Sequence, residues 1–217
     1  MKTALFILLS FIIYSCQNNS TEKETNQDDT PLPFLGDEGA DHVIADFQAL
    51  NQDSIWKTNK SYSKSIWVAE FFFSTCPTIC PIMNSQMNRL VKEFEGQDTL
   101  IQFLSFSINP DYDSPSVLQK YINTRGYDFK NWDFLTGMRE ESVHLLGVKS
   151  FLVHAGKGAV EEGGYAHSGA FTMVDEQGHV RGVYQITDGE GGKDENEYQR
   201  LKKELKTLLK HEYGINH

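Results

Sequence analysis

The feature that most constrains the fold is a nearly continuous apolar run at residues 66–73, IWVAEFFF. A strand with one wet face alternates apolar and polar residues, whereas a strand covered on both faces is apolar almost throughout. The run therefore predicts a central strand with helices on both sides of its sheet. It leads into CPTICP, where a helical pattern begins, so Cys76 and Cys80 lie at a strand-to-helix turn.

The rest of the chain divides into elements by its periodicity and its turn residues. Residues 43–50 and 55–58 flank a polar turn and predict an N-terminal hairpin, and residues 156–164 are glycine-rich and predict a mobile loop. Strand and helix first alternate, and a late hairpin and a final helix follow. This order predicts an α/β protein with the thioredoxin-like arrangement, a central mixed sheet flanked by helices, with an N-terminal β-hairpin extension. The predicted strands are 66–73, 100–108, 132–135, 168–174 and 180–186, and the predicted helices are 81–96, 115–126, 139–146 and 198–209.

The N-terminal residues predict export and a membrane anchor. Residues 1–15 carry one positive charge, Lys2, before a short apolar run, which is typical of a signal peptide. The run ends at Cys16 in a pattern similar to a bacterial lipoprotein cleavage box, so Cys16 is the expected lipidation site. Residues 16–33 are polar and predict a flexible tether. We expect residues 34–217 to form one domain in the bacterial cell envelope, outside the cytoplasm.

Charge and cysteine content limit the classes of function. The formal net charge of -10 argues against nucleic acid as a partner, because affinity for phosphates requires an excess of Lys and Arg. Of the three cysteines, Cys16 is assigned to the lipid, which leaves Cys76 and Cys80 as an isolated pair. A disulfide between them would close too short a loop to stabilise a domain of this size, so the pair is better explained by chemistry.

Two cysteines one helical turn apart allow two kinds of chemistry. They can form a reversible disulfide, or they can bind a soft metal as thiolates. The unpaired N–H groups and the dipole of a helix N-terminus stabilise a thiolate in either case. Cys80 continues the apolar stripe of Met83 and Met87, so we expect it to be the more buried sulfur and Cys76 to meet a partner first. The two methionines are expected to pack in the core, with thioether ligation as the alternative.

A third group is expected beside the pair. Thioredoxin-type oxidoreductases place a cis-proline opposite their cysteines, but this chain has no proline beyond Pro115. His167 occupies the equivalent place, just before the strand of the late hairpin. Two thiolates and one imidazole suit copper in either oxidation state and also zinc. His154 is a weaker candidate as a spare ligand.

The cysteine motif resembles that of the Sco/SenC copper proteins linked to cytochrome c oxidase assembly. CPTICP at residues 76–81 looks like the family's Cys-Pro-x-Ile-Cys-Pro, and SINPDYDSP at residues 107–115 is similar to the family's stretch after the second core strand. His167-Ser168 before an apolar strand and Asp175 also matches. The resemblance covers roughly residues 46–188. Thr78 and Asn109 depart from it, since the family often has Asp at both positions.

The resemblance implies a thioredoxin-like fold that binds one copper ion, Cu(I) or Cu(II), through Cys76, Cys80 and His167. Family members deliver copper to the binuclear site of cytochrome c oxidase subunit II, reduce the cysteines of that site, or do both. The expected partners are therefore subunit II or another copper protein, a thiol reductant, and the membrane through a lipid anchor.

Several functions remain open at this stage. The leading hypothesis is a copper chaperone. The alternative is a thiol-disulfide reductase with Cys76 as nucleophile and Cys80 as resolving thiol. A peroxiredoxin-like peroxidase does not require the second cysteine, and a copper sensor is not distinguished from a chaperone by sequence.

Overall fold

A computed structural model describes residues 31–37, 39–127, 129–159, 164–188 and 191–215. The predicted strands and helices occur in the predicted order, and two further short strands precede the late hairpin. The strands are β1 (Gln48–Leu50), β2 (Trp56–Thr58), β3 (Ile66–Phe72), β4 (Ile101–Ser107), β5 (Trp132–Leu135), β6 (Ala155–Lys157), β7 (Tyr165–His167), β8 (Ala170–Val174) and β9 (Val180–Gln185). The helices are α1 (Cys80–Glu93), α2 (Pro115–Arg125), α3 (Glu140–Leu145) and α4 (Glu195–Tyr213).

The central sheet has five strands in the order β5-β4-β3-β8-β9. The strand β3 lies in the middle, and all of its residues are buried, as its apolar sequence predicts. It pairs parallel with β4 and antiparallel with β8, and β4 pairs parallel with β5. The sheet is therefore mixed, and the predicted α/β, thioredoxin-like fold class is confirmed.

The sheet topology brings distant parts of the sequence to one edge. Because β3 and β4 are parallel, the turns that follow them leave the sheet at the same end. The strand β8 runs antiparallel to β3, with Trp67 opposite Val174, so β8 begins at that end. The short strand β7, which ends only three positions before β8 begins, is brought there as well. His167 thus comes near the cysteine turn although it is far away in sequence.

The helices α1 and α2 begin at local sequence signals, and α2 also ends at one. Pro81 lies in the first turn of α1, where a missing N–H costs no helical hydrogen bond. The Ser114 side chain accepts a hydrogen bond from the Val117 N–H at the start of α2, which ends at Gly126 with φ of 66°. The predicted apolar faces are buried: Met83, Met87, Leu90 and Val91 in α1, and Tyr198, Leu201, Leu205, Leu208 and Leu209 in α4.

Two predicted elements differ from the structure. The first strand of the N-terminal hairpin is only β1, and Val43 makes an isolated bridge with His179 instead. The stretch at 156–164 is not simply a mobile loop, because its first residues belong to β6, which pairs with β7. Glycine lowers strand propensity, so sequence patterning missed a strand whose stability comes from its partner. Residues 160–163 lie outside the described residues.

The predicted signal peptide, the lipidation site Cys16 and most of the tether also lie outside the described residues. Within the described part of the chain, none of the helices combines the length and the apolar character that a membrane crossing requires.

Candidate metal centre

The cysteine pair lies where β3 gives way to α1. Cys80 is the first residue of α1, and Cys76 lies in the turn before it, held by a hydrogen bond of 3.1 Å from its N–H to the Phe73 carbonyl. The Cys80 N–H points at Cys76 Sγ at 3.5 Å, and Thr78 Oγ1 lies 3.7 Å from the same sulfur. The turn therefore places a backbone N–H donor and a hydroxyl group beside Cys76 Sγ, as expected at a helix N-terminus.

His167 completes the group from the other side. Its Nε2 lies 2.9 Å from Cys80 Sγ, and its Nδ1 lies 3.2 Å from the Ser168 carbonyl oxygen. One ligand atom from each of Cys76, Cys80 and His167 lies within 4.8 Å of the others. Two sulfurs and one imidazole nitrogen at this spacing fit one soft or borderline metal ion, copper or zinc. The structure brings together the three predicted residues, and their role as ligands stays a prediction.

The three side chains are buried, yet they border a cavity. Cys76 is 8% exposed, His167 is 9% exposed and Cys80 is 1% exposed. Cys80 is thus the more buried sulfur, as its position on the apolar stripe predicts. A cavity of about 350 Å³ is lined by Cys76, His167, Ile79 and Tyr165 among others. A partner or a ligand could therefore approach Cys76 and His167 from this cavity, but not Cys80.

The two thiols differ strongly in acidity. The pKa of Cys76 is lowered to about 3, chiefly by a hydrogen bond from Cys80. Hydrogen bonds from His167 and from backbone N–H groups act in the same direction, whereas burial acts against them. Burial, together with the hydrogen bond to Cys76 and its charge, raises the pKa of Cys80 well above its usual value. These opposite shifts favour Cys76 as the thiolate and Cys80 as the thiol of the pair. Such a pair is prepared either to bind a cation or to attack a disulfide.

Asp113 fixes the turn that precedes Cys76, a role that sequence reasoning missed. Its buried carboxylate accepts hydrogen bonds from the Ser74 N–H at 3.0 Å and from the Ser107 hydroxyl at 2.6 Å, and it also accepts one from the Ser74 hydroxyl. These contacts tie the turn after β3 to the end of β4. The available signal was an acidic residue placed just after a buried strand.

A second missed residue is Glu70, the single charged residue of the apolar run. It is fully buried in β3, and its Oε1 accepts hydrogen bonds of 2.6 Å from Asn84 and from Ser105. Burial raises the pKa of Glu70 to about 7, although both hydrogen bonds act in the opposite direction. Asn84 lies one turn after Cys80 on α1, so Glu70 links the helix that carries the site to the centre of the sheet.

The other described histidines lie apart from the group. His42 Nε2 contacts the Ser150 carbonyl oxygen, His144 Nε2 contacts the Ile108 carbonyl oxygen, and His179 contacts Asp175. His154 is exposed, and it is not among the residues gathered at the cysteines. The prediction of a spare ligand at His154 therefore receives no support from the geometry.

Comparison with known proteins gives the family. The SCO1/SenC family model matches residues 36–205, which is most of the chain. The chain belongs to the SCO1/SenC family. A curated SCO1 protein homolog of Bacillus subtilis is 32% identical over 139 residues, which cover 64% of this chain and 72% of the relative.

Solved structures of Sco proteins are similar to this family member over most of the described domain. A SCO1/SenC family lipoprotein of Bacillus anthracis is 30% identical with a TM-score of 0.67, covering 77% of this chain and 95% of that one. BsSco, a member of the Sco family of cytochrome c oxidase assembly proteins with a disulfide switch, is 29% identical with a TM-score of 0.65, covering 77% and 93%. Bradyrhizobium japonicum ScoI with copper bound is 18% identical with a TM-score of 0.58, covering 74% and 98%, and shows the fold alone.

Proposed function

We propose that this protein is an extracytoplasmic copper chaperone that supports assembly of the binuclear copper site of cytochrome c oxidase. It binds one copper ion through Cys76, Cys80 and His167 and transfers that ion to subunit II or to another copper protein. Membership of the SCO1/SenC family and the relation to BsSco support the link to oxidase assembly.

The observation that carries the proposal is the convergence of two thiols and one imidazole within 4.8 Å beside a cavity. Thiolate and imidazole ligands favour copper over the hard cations, which prefer oxygen ligands. Burial limits the contact of the three ligands with bulk solvent, while the cavity leaves Cys76 and His167 open to an incoming partner. A chaperone needs both properties, since it must bind its ion and later transfer the ion to a partner protein.

The resting state of the cysteines sets how the ion is loaded. Cys76 offers a thiolate directly, whereas Cys80 must release its proton when it becomes a ligand. A disulfide between Cys76 and Cys80 would remove two of the three ligands. Reduction of the pair is therefore the condition for binding, and oxidation ends it.

The low pKa of Cys76 also favours the alternative function, thiol-disulfide reduction. The Cys76 thiolate would attack a disulfide of the partner and form a mixed disulfide, releasing one partner thiol. Cys80, after losing its proton, would attack Cys76 and release the second partner thiol. Two electrons pass from the dithiol pair to the partner, and a thiol reductant must later restore the pair.

One experiment separates the two functions. The copper-loaded protein is mixed with the copper-free soluble domain of subunit II, prepared once with reduced and once with oxidised site cysteines. For the chaperone we expect copper to move to the reduced domain, and His167→Ala to abolish this transfer. If the His167→Ala variant still reduces the oxidised domain and wild type never transfers copper, the reductase is the correct function.

The proposed location is the outer side of a bacterial membrane, reached through a cleaved signal peptide and a lipid on Cys16. Similarity to a family lipoprotein of Bacillus anthracis supports this proposal. We expect Cys16→Ser to move the protein from the membrane fraction to the soluble fraction of cells. Retention of the variant in the membrane would exclude the lipid as its anchor.

A further inference from the structure

His167 is carried by a hairpin that is separate from the central sheet. The strands β6 and β7 form a two-stranded sheet of three residue pairs, in which His167 lies opposite Ala155 and Tyr165 lies opposite Lys157. A two-stranded hairpin of this length is not stable by itself. The position of the His167 imidazole therefore depends on the contacts that hold this hairpin against the rest of the domain.

The hydroxyl of Tyr165 is the centre of those contacts. It lies 3.0 Å from Asn109 Oδ1 and 3.3 Å from Glu140 Oε2, and Lys157 Nζ donates to it at 3.1 Å. Lys157 also forms an ion pair with Glu140 and lies 4.3 Å from the centroid of the Tyr165 ring. These four residues, the Tyr165 cluster, join the hairpin to the loop after β4 and to the start of α3.

Tyr165 and His167 are mechanically coupled through their strand. Residues two apart in a strand project from the same face. Both rings accordingly pack on Phe73, with centroid separations of 5.4 Å for Tyr165 and 6.0 Å for His167. If the hydrogen bonds of the Tyr165 hydroxyl break, the hairpin can move away from Phe73, and His167 moves with it.

We propose that Tyr165 is a positioning residue that holds His167 against the cysteine pair, and that opening of the Tyr165 cluster sets the rate of copper release. This inference rests on the proposed copper-binding function. Lys157 is well exposed, and its partner Glu140 is only partly buried, so salt should weaken their pairing. An incoming protein that competes for either charge would have the same effect and would free His167 at the moment of docking.

The decisive variant is Tyr165→Phe in the full chain, because it removes the hydroxyl and keeps the ring on Phe73. Tyr112→Phe is the matched control, since Tyr112 is 55% exposed in the loop after β4 and belongs to no part of the cluster. Copper release is followed after adding an excess of a Cu(I) chelator. Loss of hydrogen bonds to charged partners predicts release about tenfold faster in Tyr165→Phe than in the control. Lys157→Met should accelerate release and abolish its salt dependence.

A second readout needs no copper. The Ser168 N–H donates to the His154 carbonyl at 3.0 Å next to His167, so its hydrogen exchange reports hairpin opening. In reduced, copper-free protein we expect exchange at Ser168 to be about tenfold faster in Tyr165→Phe than in Tyr112→Phe. Equal exchange and equal release in the two variants would overturn the inference. If wild type binds no copper, the proposed function fails, and the exchange measurement still decides the role of Tyr165.

Discussion

Replacing Glu70 by Gln should change how the stability of the protein depends on pH. The pKa of Glu70 is raised from 4.5 to about 7 in the folded protein, so the folded state binds this proton more tightly than the unfolded state does. The resulting stability is present below pH 4.5 and is lost as the pH rises through 7. Between pH 5 and pH 8 the loss amounts to about 2 to 3 kcal/mol.

Glutamine resembles the protonated acid, and it cannot lose the proton. Its side-chain oxygen can keep the bonds from Asn84 and Ser105, but its amide would occupy the place of Oε2, which has no partner within the described part of the chain. A buried amide without a hydrogen-bond acceptor lowers the free energy of unfolding of the variant by an amount that does not depend on pH. The test is therefore the difference between pH 5 and pH 8, in which a constant cost cancels.

Urea unfolding of the reduced, copper-free protein, followed by tryptophan fluorescence, measures this difference. The free energy of unfolding of Glu70→Gln should rise relative to wild type by about 2 to 3 kcal/mol from pH 5 to pH 8. Glu141→Gln, a change at an exposed position on α3, controls for the loss of one negative charge. Parallel pH curves for wild type and Glu70→Gln would refute the assignment of a protonated Glu70 in the core.

Three further predictions concern the surroundings of the site. Asp113→Ala leaves the donors around it without an acceptor and should lower the free energy of unfolding by about 3 kcal/mol; a loss below about 0.5 kcal/mol in urea would contradict its role. Gly169→Ala places a Cβ 1.8 Å from Thr187 Oγ1 and should lower the free energy of unfolding by about 1 to 3 kcal/mol. The same substitution should lower it by less in a Thr187→Gly background, and equal losses in the two backgrounds would exclude this clash. Because the pKa of Cys76 is about 3, its alkylation by iodoacetamide, followed by mass spectrometry, should be nearly constant from pH 5 to pH 7, whereas a rise near the hundredfold of free cysteine would contradict a thiolate.

The parts of the fold that sequence predicted well are those with strong local signals. The apolar run predicted β3, the proline after Cys80 and the stripe of Met83 and Met87 predicted α1, and the order of elements predicted the mixed sheet. The convergence of His167 with the cysteines was also predicted, from its place before the late hairpin. The identity of the bound ion stays a prediction.

The parts that sequence missed depend on contacts between distant residues. The strand β6 is short and contains glycine, so only its pairing with β7 identifies it. Asp113 and Glu70 take their roles from partners on other elements, and no local pattern names those partners. Tyr165 is one aromatic residue among many until its neighbours in space are known.

We propose that Cys76, Cys80 and His167 form one copper site, which exists only when the cysteines are reduced. The most direct measurement is a copper titration of the reduced and the oxidised protein, in wild type and in His167→Ala, with detection of sulfur-to-copper charge-transfer absorption. We expect one ion per reduced wild-type chain, much weaker binding by His167→Ala and none by the disulfide form. Absence of binding by the reduced protein, or unchanged affinity in His167→Ala, would contradict it.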